Sequence, residues 1–352
     1  MCHAYIGPIG EIRPILSEGC RVKTRNGNHA SFMAPPRALR AKTKAQPVAP
    51  YSYLQAPRTT LVPQSPARLP LREHNAAYHR PQLLDQLDGI DRLLTWFDNE
   101  QHVRNMPWRE QWIDPDVPLA KRTRTDTDDT PEEGVHEHLK IRAYQVWISE
   151  IMLQQTRVET VRDYWQAWME RWPTIEALAK ASTDDVLAAW RGLGYYSRAT
   201  RIHQAAQLVV QDPELQGMLP DQVDELEKKV PGVGRYTAGA ISSIVFGHAV
   251  PILDGNVARV LSRQTALYAD PKAKQTVDLL WEMARLLVER AASHTNTDPM
   301  RVPDRSATPG KWNQALMELG STLCIPTKPD CASCPIQTTC SAFQEVCVHG
   351  RN

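Results

Sequence analysis

The chain has 352 residues and a formal net charge of +1, enough length for one or two domains with a sizeable core. No apolar run approaches the ~20 residues of a membrane-spanning helix, and no membrane partner is expected. Four of the seven cysteines crowd into Cys324–Cys340, which is not the layout of a secreted disulfide framework.

In chain order, residues 1–72 carry 11 Lys or Arg against only Glu11 and Glu18, leaving 30 of the 41 basic and 38 of the 40 acidic residues for the rest. A net-acidic body gives no bulk attraction to nucleic acid, so any such site must be locally basic. Residues 1–75 are rich in Pro, Arg and Ala, with weak periodicity, and cannot bury enough apolar surface to fold alone. They read as a disordered basic extension. Basic, acid-poor N-termini also resemble mitochondrial transit peptides, and clusters such as Arg37–Lys44 resemble nuclear addresses. Nucleus and mitochondrion therefore both stay open.

From about Tyr78, Leu83, Leu84, Leu87, Ile90, Leu93, Leu94 and Phe97 follow a helical pattern that stops before Asn105-Met106-Pro107-Trp108-Arg109. Asp114–Glu137, with DTDDTPEE at its centre, reads as a disordered surface insert. Ala143–Met152 is an apolar helix interrupted by Glu150, which is flanked by Trp147, Ile148, Ile151 and Met152. A carboxylate in such company is desolvated and its pKa raised, as a general acid near neutral pH requires. An edge residue reaching into water is the equal alternative. Leu153-Gln154-Gln155-Thr156 forms the polar helix end, followed by a long amphipathic helix through Trp172.

Further helices are expected at about Thr174–Leu178, Thr183–Trp190, Arg198–Gln211, Val223–Val230, Tyr236–Phe246, Asn256–Leu267, Thr276–Glu289 and Lys311–Leu323. No convincing alternating strand occurs, so the class is all-α. Gly192-Leu193-Gly194-Tyr195-Tyr196 is either a tight aromatic-packed turn or a loop that offers an aromatic to a base stack. Asp221 reads as the N-cap of the helix after it. Gly232-Val233-Gly234 then joins two helices, the second rich in small residues (Ala238, Gly239, Ala240, Ser242, Ser243). Such a unit is an ordinary helical hairpin, or it aims unpaired backbone N–H groups at a phosphate. Asp254 follows an apolar run and precedes Gly255, a placement that suits an N-cap more often than a catalyst.

Cys324-x6-Cys331-x2-Cys334-x5-Cys340, tied by Pro326, Pro329 and Pro335, can surround one metal centre. All-sulfur ligation means zinc or iron–sulfur, and spacing alone does not choose. Cys347 lies outside the pattern.

Taken together, MPWR, AYQVWISEIMLQQTRVETV, GLGYYSR, PGVGRYTAGAI, ILDGNVARV, NQALMELG and the cysteine loop resemble the eukaryotic MutY-type adenine DNA glycosylases of the endonuclease III, or helix-hairpin-helix, superfamily. The resemblance covers about residues 78–342. It implies a six-helix barrel with the hairpin at about 136–248. An iron–sulfur helical domain would come from 76–135 and 249–342, with the active site in the cleft between and a disordered tail at 343–352. The cysteine spacing matches the family's 4Fe–4S loop, so Cys324, Cys331, Cys334 and Cys340 would hold that cluster. Glu150 would protonate a flipped adenine and later handle the incoming water, and Asp254 would stabilise the oxocarbenium-like sugar. Tyr236 and Asn256 would position that aspartate and the water. Arg104, Met106, Trp108 and Gln314 match positions lining the adenine pocket. Gln155 and Tyr196 match wedges into the vacated stack, with Gln154 and Thr156 beside them, and Gly232, Val233 and Gly234 would hold a phosphate.

The implied partner is duplex DNA with adenine opposite 8-oxoguanine or guanine, bound by a monomer alongside other repair factors. Endonuclease III carries a Schiff-base lysine where this chain has Tyr236, so monofunctional hydrolysis is expected. A lyase of the endonuclease III type, a non-catalytic iron–sulfur DNA-binding module and a zinc-stabilised scaffold are the rivals; zinc is colourless, so visible absorbance separates the last. The sequence ends soon after Cys340, so the family's Nudix-like C-terminal domain is expected to be missing and discrimination of the lesion reduced.

Overall fold

The computed structural model describes residues 54, 76–114, 131–294 and 305–349, with the side chains of 131–133 and 347–349 set aside. The expected N-terminal extension, apart from Leu54, and the centre of the insert, 115–130, lie outside the described residues. Among those described there are only helices, turns and loops, which confirms the all-α class. In chain order they are α1 (Leu87–Glu100), α2 (Pro131–Met152), α3 (Val158–Arg171), α4 (Ile175–Ala179), α5 (Thr183–Ala189) and α6 (Ser197–Gln211). Then come α7 (Val223–Lys229), α8 (Arg235–Ile244), α9 (Gly255–Gln264), α10 (Lys274–His294), α11 (Ala307–Thr322) and α12 (Ser341–His349).

Several boundaries differ from the sequence expectation, for local reasons. Helix α2 begins at Pro131, inside the stretch read as a disordered insert, because proline at the first helical position gives up an N–H that has no partner anyway. Helix α11 begins at Ala307 rather than Lys311 because Pro309 falls in its first turn, where the same argument holds. The segment read as a disordered tail contains α12, which packs on α9. Before α1, Pro81 breaks the expected long helix into two 3-10 turns, Ala76–His79 and Gln82–Leu84. Asp221 does not cap α7; Gln222 occupies that place, and the Asp221 carboxylate pairs with His248 (3.0 Å) and Arg305 (2.5 Å).

Aromatic side chains fix the α2–α3–α5 corner. Trp168 packs edge-on against Trp172 and Trp190, at 4.8 and 5.6 Å between ring centres. Its Nε1–H donates to Tyr144 Oη (2.9 Å), whose own hydroxyl donates to the Trp172 carbonyl (3.0 Å). The polar tips are thus satisfied in the core, which removes the usual cost of burying them.

Helix α8 packs against α2, α7 and α11, and α11 also packs against α1, α9 and α10. The approach of α11 is set by two glycines. A Cβ on Gly310 would lie 2.6 Å from the Ser243 carbonyl oxygen and 2.7 Å from Ile244 Cα; one on Gly320 would lie 2.7 Å from Asn256 Cβ. One helix therefore seats α8 at one end and the start of α9 at the other. Backbone atoms cannot yield as a flexible side chain does, so Gly310→Ala should lower unfolding free energy by about 1–3 kcal/mol in chemical denaturation.

Candidate active site

Helix α2 and the turn that ends it bring Val146, Ser149, Glu150 and Leu153 to one face at i, i+3, i+4 and i+7, and α8 crosses it with Tyr236. Glu150 is 6% exposed, and Tyr236 Oη donates to its Oε2 at 2.8 Å. Burial pushes the Glu150 carboxyl up to about 7; the nearby charge of Asp254 adds to the rise, while the Tyr236 bond and Arg109 oppose it. Burial beside two carboxylates also holds the Tyr236 hydroxyl well above its ordinary value.

Asp254 is the N-cap of α9. Its Oδ1 accepts from the Val257 N–H (2.7 Å) and its Oδ2 from Asn256 Nδ2 (2.9 Å). Capping fixes the carboxylate while leaving it at the lining of the cavity. Asn256 is oriented in turn by Arg259, whose Nη2 donates to Asn256 Oδ1 (2.8 Å) and to the Gly320 carbonyl (2.6 Å). The amide thus presents its nitrogen to Asp254.

The cavity holds about 600 Å³. It gathers Glu150, Tyr236, Asp254 and Asn256 with Arg104, Met106, Trp108, Gln154, Gln155, Thr156 and Gln314. Helix α11 contributes more than the sequence singled out. Met317, Glu318 and Ser321 follow Gln314 at +3, +4 and +7 and line the same wall, and that spacing was the available signal. Glu318, 2% exposed, accepts from Arg109 Nη2 (2.7 Å) and Arg104 Nη1 (3.2 Å). Burial lowers the Arg109 pKa, and the Glu318 carboxylate is the chief influence against that fall.

The hairpin lies apart from this cavity. Gly232 has φ +86°, a conformation that needs glycine, whereas Gly234 caps α8 in extended geometry with open space where a Cβ would be. Having no side chain, it leaves the first N–H groups of α8 without a side-chain cap.

Residues 148–285 match the HhH-GPD superfamily of base excision DNA repair proteins. That segment belongs to the superfamily. It is 41% identical over 284 residues to the adenine DNA glycosylase of Homo sapiens, covering 80% of this chain and 44% of the relative. It is 40% identical to that of Arabidopsis thaliana (71% and 36%) and 39% identical to that of Schizosaccharomyces pombe (77% and 52%). The chain therefore spans about half or less of the length of these relatives. A thermostable thymine-DNA glycosylase shares the fold with a TM-score of 0.53 and 21% identity, over 74% of this chain and 99% of that one.

Two further groups of expected site residues stand outside the cavity. Tyr196 is 46% exposed at the start of α6, but Tyr195, which the sequence did not single out, is 62% exposed in a left-handed conformation (φ +48°). Both tyrosines present ring surface to solvent. Cys324, Cys331, Cys334 and Cys340 line a separate cavity of about 340 Å³, walled also by Leu319, Leu323 and, from α12, Phe343 and Val346. Arg263 Nη1 lies 3.3 Å from Cys324 Sγ, and Arg259 Nε donates to the Cys324 carbonyl (2.8 Å). Burial pushes the Cys334 thiol up to about 12 and Cys340 to about 11, with the neighbouring sulfurs adding to both.

The Glu150 environment has a measurable consequence for stability. Its folded pKa of about 7 lies above the unfolded carboxyl value, so between the two the native state binds more protons than the unfolded chain. Stability should fall as pH rises through that window and the loss be complete above it. Glu150→Gln should match the parent near pH 5 and exceed it near pH 8 by about 3 kcal/mol, as read from denaturation at both pH values.

Proposed function

We propose that this chain is a monofunctional adenine DNA glycosylase that removes adenine mispaired with 8-oxoguanine or guanine. The observation that carries the reading is the pair Glu150 and Asp254 on one cavity wall, with Tyr236 bonded to the first. Two carboxyls in unlike environments divide the labour of glycoside hydrolysis. Glu150, whose pKa burial raises to about 7, donates its proton to the leaving adenine ring. Asp254, held by the Val257 N–H and Asn256, faces the sugar as positive charge develops there. Glu150, deprotonated after departure of the base, accepts a proton from the attacking water. The base reaches the cavity by leaving the stack, at a cost of about a few kcal/mol. Arg104, Met106, Trp108 and Gln314 surround it there, beside Glu318.

Tyr236 separates this reading from the lyase alternative, because a phenol forms no Schiff base with the sugar. The similarity to adenine DNA glycosylases favours adenine as the base over other members of the superfamily. DNA is gripped at the hairpin, where Gly234 leaves the α8 N–H groups open to a phosphate.

The four cysteines ring one largely apolar cavity, and their all-sulfur donor set in the C-x6-C-x2-C-x5-C spacing would hold a 4Fe–4S cluster there. When bound there, the cluster supplies all-thiolate cross-linking of the loop. Arg259 and Arg263 hold the loop's first carbonyls in either case.

Single-turnover assays on duplexes with adenine opposite 8-oxoguanine, guanine, thymine or cytosine test the assignment. Cleavage confined to the first two is expected, with the rate falling as pH rises through the Glu150 pKa. Glu150→Gln should bind the same duplexes and excise nothing; excision by that variant would remove Glu150 from the chemistry.

Borohydride trapping tests the hydrolytic route independently. The parent should yield no covalent DNA adduct, and Tyr236→Lys should introduce trapping, because an amine at that position reaches the sugar carbon. Efficient trapping of the parent would return the chain to the lyase class.

A further inference from the structure

Arg198 is placed by the first turn of α6 and is 8% exposed. Its Nη1 donates to the carbonyls of Ile151 (2.8 Å), Met152 (3.2 Å) and Gln154 (2.7 Å), and its Nη2 to those of Leu193 (3.2 Å) and Gly194 (3.2 Å). The guanidinium stacks 5.2 Å from the Trp190 ring centre and 5.5 Å from that of Tyr195. With Gln154, Pro231 and Gly232 it also borders a cavity of about 30 Å³ under the hairpin. The nucleotide reaction described above uses none of these contacts.

We propose that Arg198 is a positioning residue that locks the last turn of α2, the loop 153–157 and the loop 191–196 into one unit facing the DNA. The role given to DNA rests on the glycosylase reading; the locking does not. Ile151 and Met152 directly follow Glu150, at the end of a helix whose last carbonyls lack full partners and whose dipole is negative there. A buried cation with a fork of donors meets both needs. Each loop holds a non-glycine residue in the left-handed region, Gln155 at φ +57° and Tyr195 at +48°. Such conformations persist only where surrounding contacts over-determine them. Arg198 supplies those contacts to both loops through one rigid plane. A movement of the Tyr195 loop is therefore transmitted to Gln154 and the Glu150 turn. Lysine cannot substitute, because its point charge offers neither the planar fork nor a face for the stack.

The test compares the full chain with Arg198→Lys. Amide hydrogen exchange, measured without DNA, should quicken at 153–157 and 191–196 together while α10 keeps its protection. Single-turnover excision of adenine opposite 8-oxoguanine should fall roughly 10- to 100-fold, the scale of a misplaced catalytic group. The pH midpoint set by Glu150 should stay in place. Tyr195→Leu, at an exposed position that does not endanger folding, removes one face of the stack. It should quicken exchange at 153–157, a loop to which it does not belong. Unchanged exchange there overturns the coupling, as does a folded Arg198→Lys with both loops protected as in the parent. Loss of protection spread evenly over the chain also overturns it, since that marks a general stability role. A parent that excises no base from any duplex would defeat the functional reading alone, and exchange would still decide the role of Arg198.

Discussion

Everything at this site depends on the burial of one carboxyl. Glu150 lies in an apolar helix, with a hydroxyl donor from Tyr236 and the charge of Asp254 nearby. Water would stabilise its anion far better than these neighbours do, so a substantial share of the carboxyl keeps its proton near neutrality. The cation that could release it, Arg109, is already engaged by Glu318.

Close packing makes this electrostatic arrangement possible. Helix α11 brings Gln314, Met317 and Glu318 to the cavity while its glycines at 310 and 320 rest on α8 and on Asn256. Asn256, Arg259 and the Cys324 carbonyl form a continuous hydrogen-bonded link from the cysteine loop to Asp254. One carboxyl is shaped by burial, and the other is held in place by the Asn256 and Val257 donors. The two are consequently set by different elements and can be perturbed separately.

Much of this was legible in the chain. The cluster of small residues after Gly234 announced a closely packed helix, and α8 buries Thr237 through Ile244 without a break. The apolar company of Glu150 announced a raised pKa, though an exposed edge was an equal reading until α8 was seen to cover it. Misreadings fell on segments where local chemistry has two outcomes. DTDDTPEE looked wholly unstructured, yet its proline starts a helix. Asp221 had the spacing of a cap, but His248 and Arg305 compete for its carboxylate. Tyr195 and Tyr196 are indistinguishable as neighbours in a sequence; only the backbone turn at 195 makes the first the more exposed.

By itself the sequence determined the helical class, the two-glycine turn between helices and the four-cysteine loop, which are local properties carried by periodicity, spacing and residue type. Its resemblance to a known family pointed to the two acids and to a tyrosine standing where a lyase carries an amine. Tertiary structure decided which groups share a cavity: that Tyr236 meets Glu150 across 86 positions, that Arg109 and Arg104 meet Glu318 across more than 200, and that Arg198 reaches back 47 residues to the end of α2. No periodicity encodes such pairs, because their partners are chosen by the crossing of helices. Desolvation, which sets the proton on Glu150, likewise exists only once those helices have closed around it.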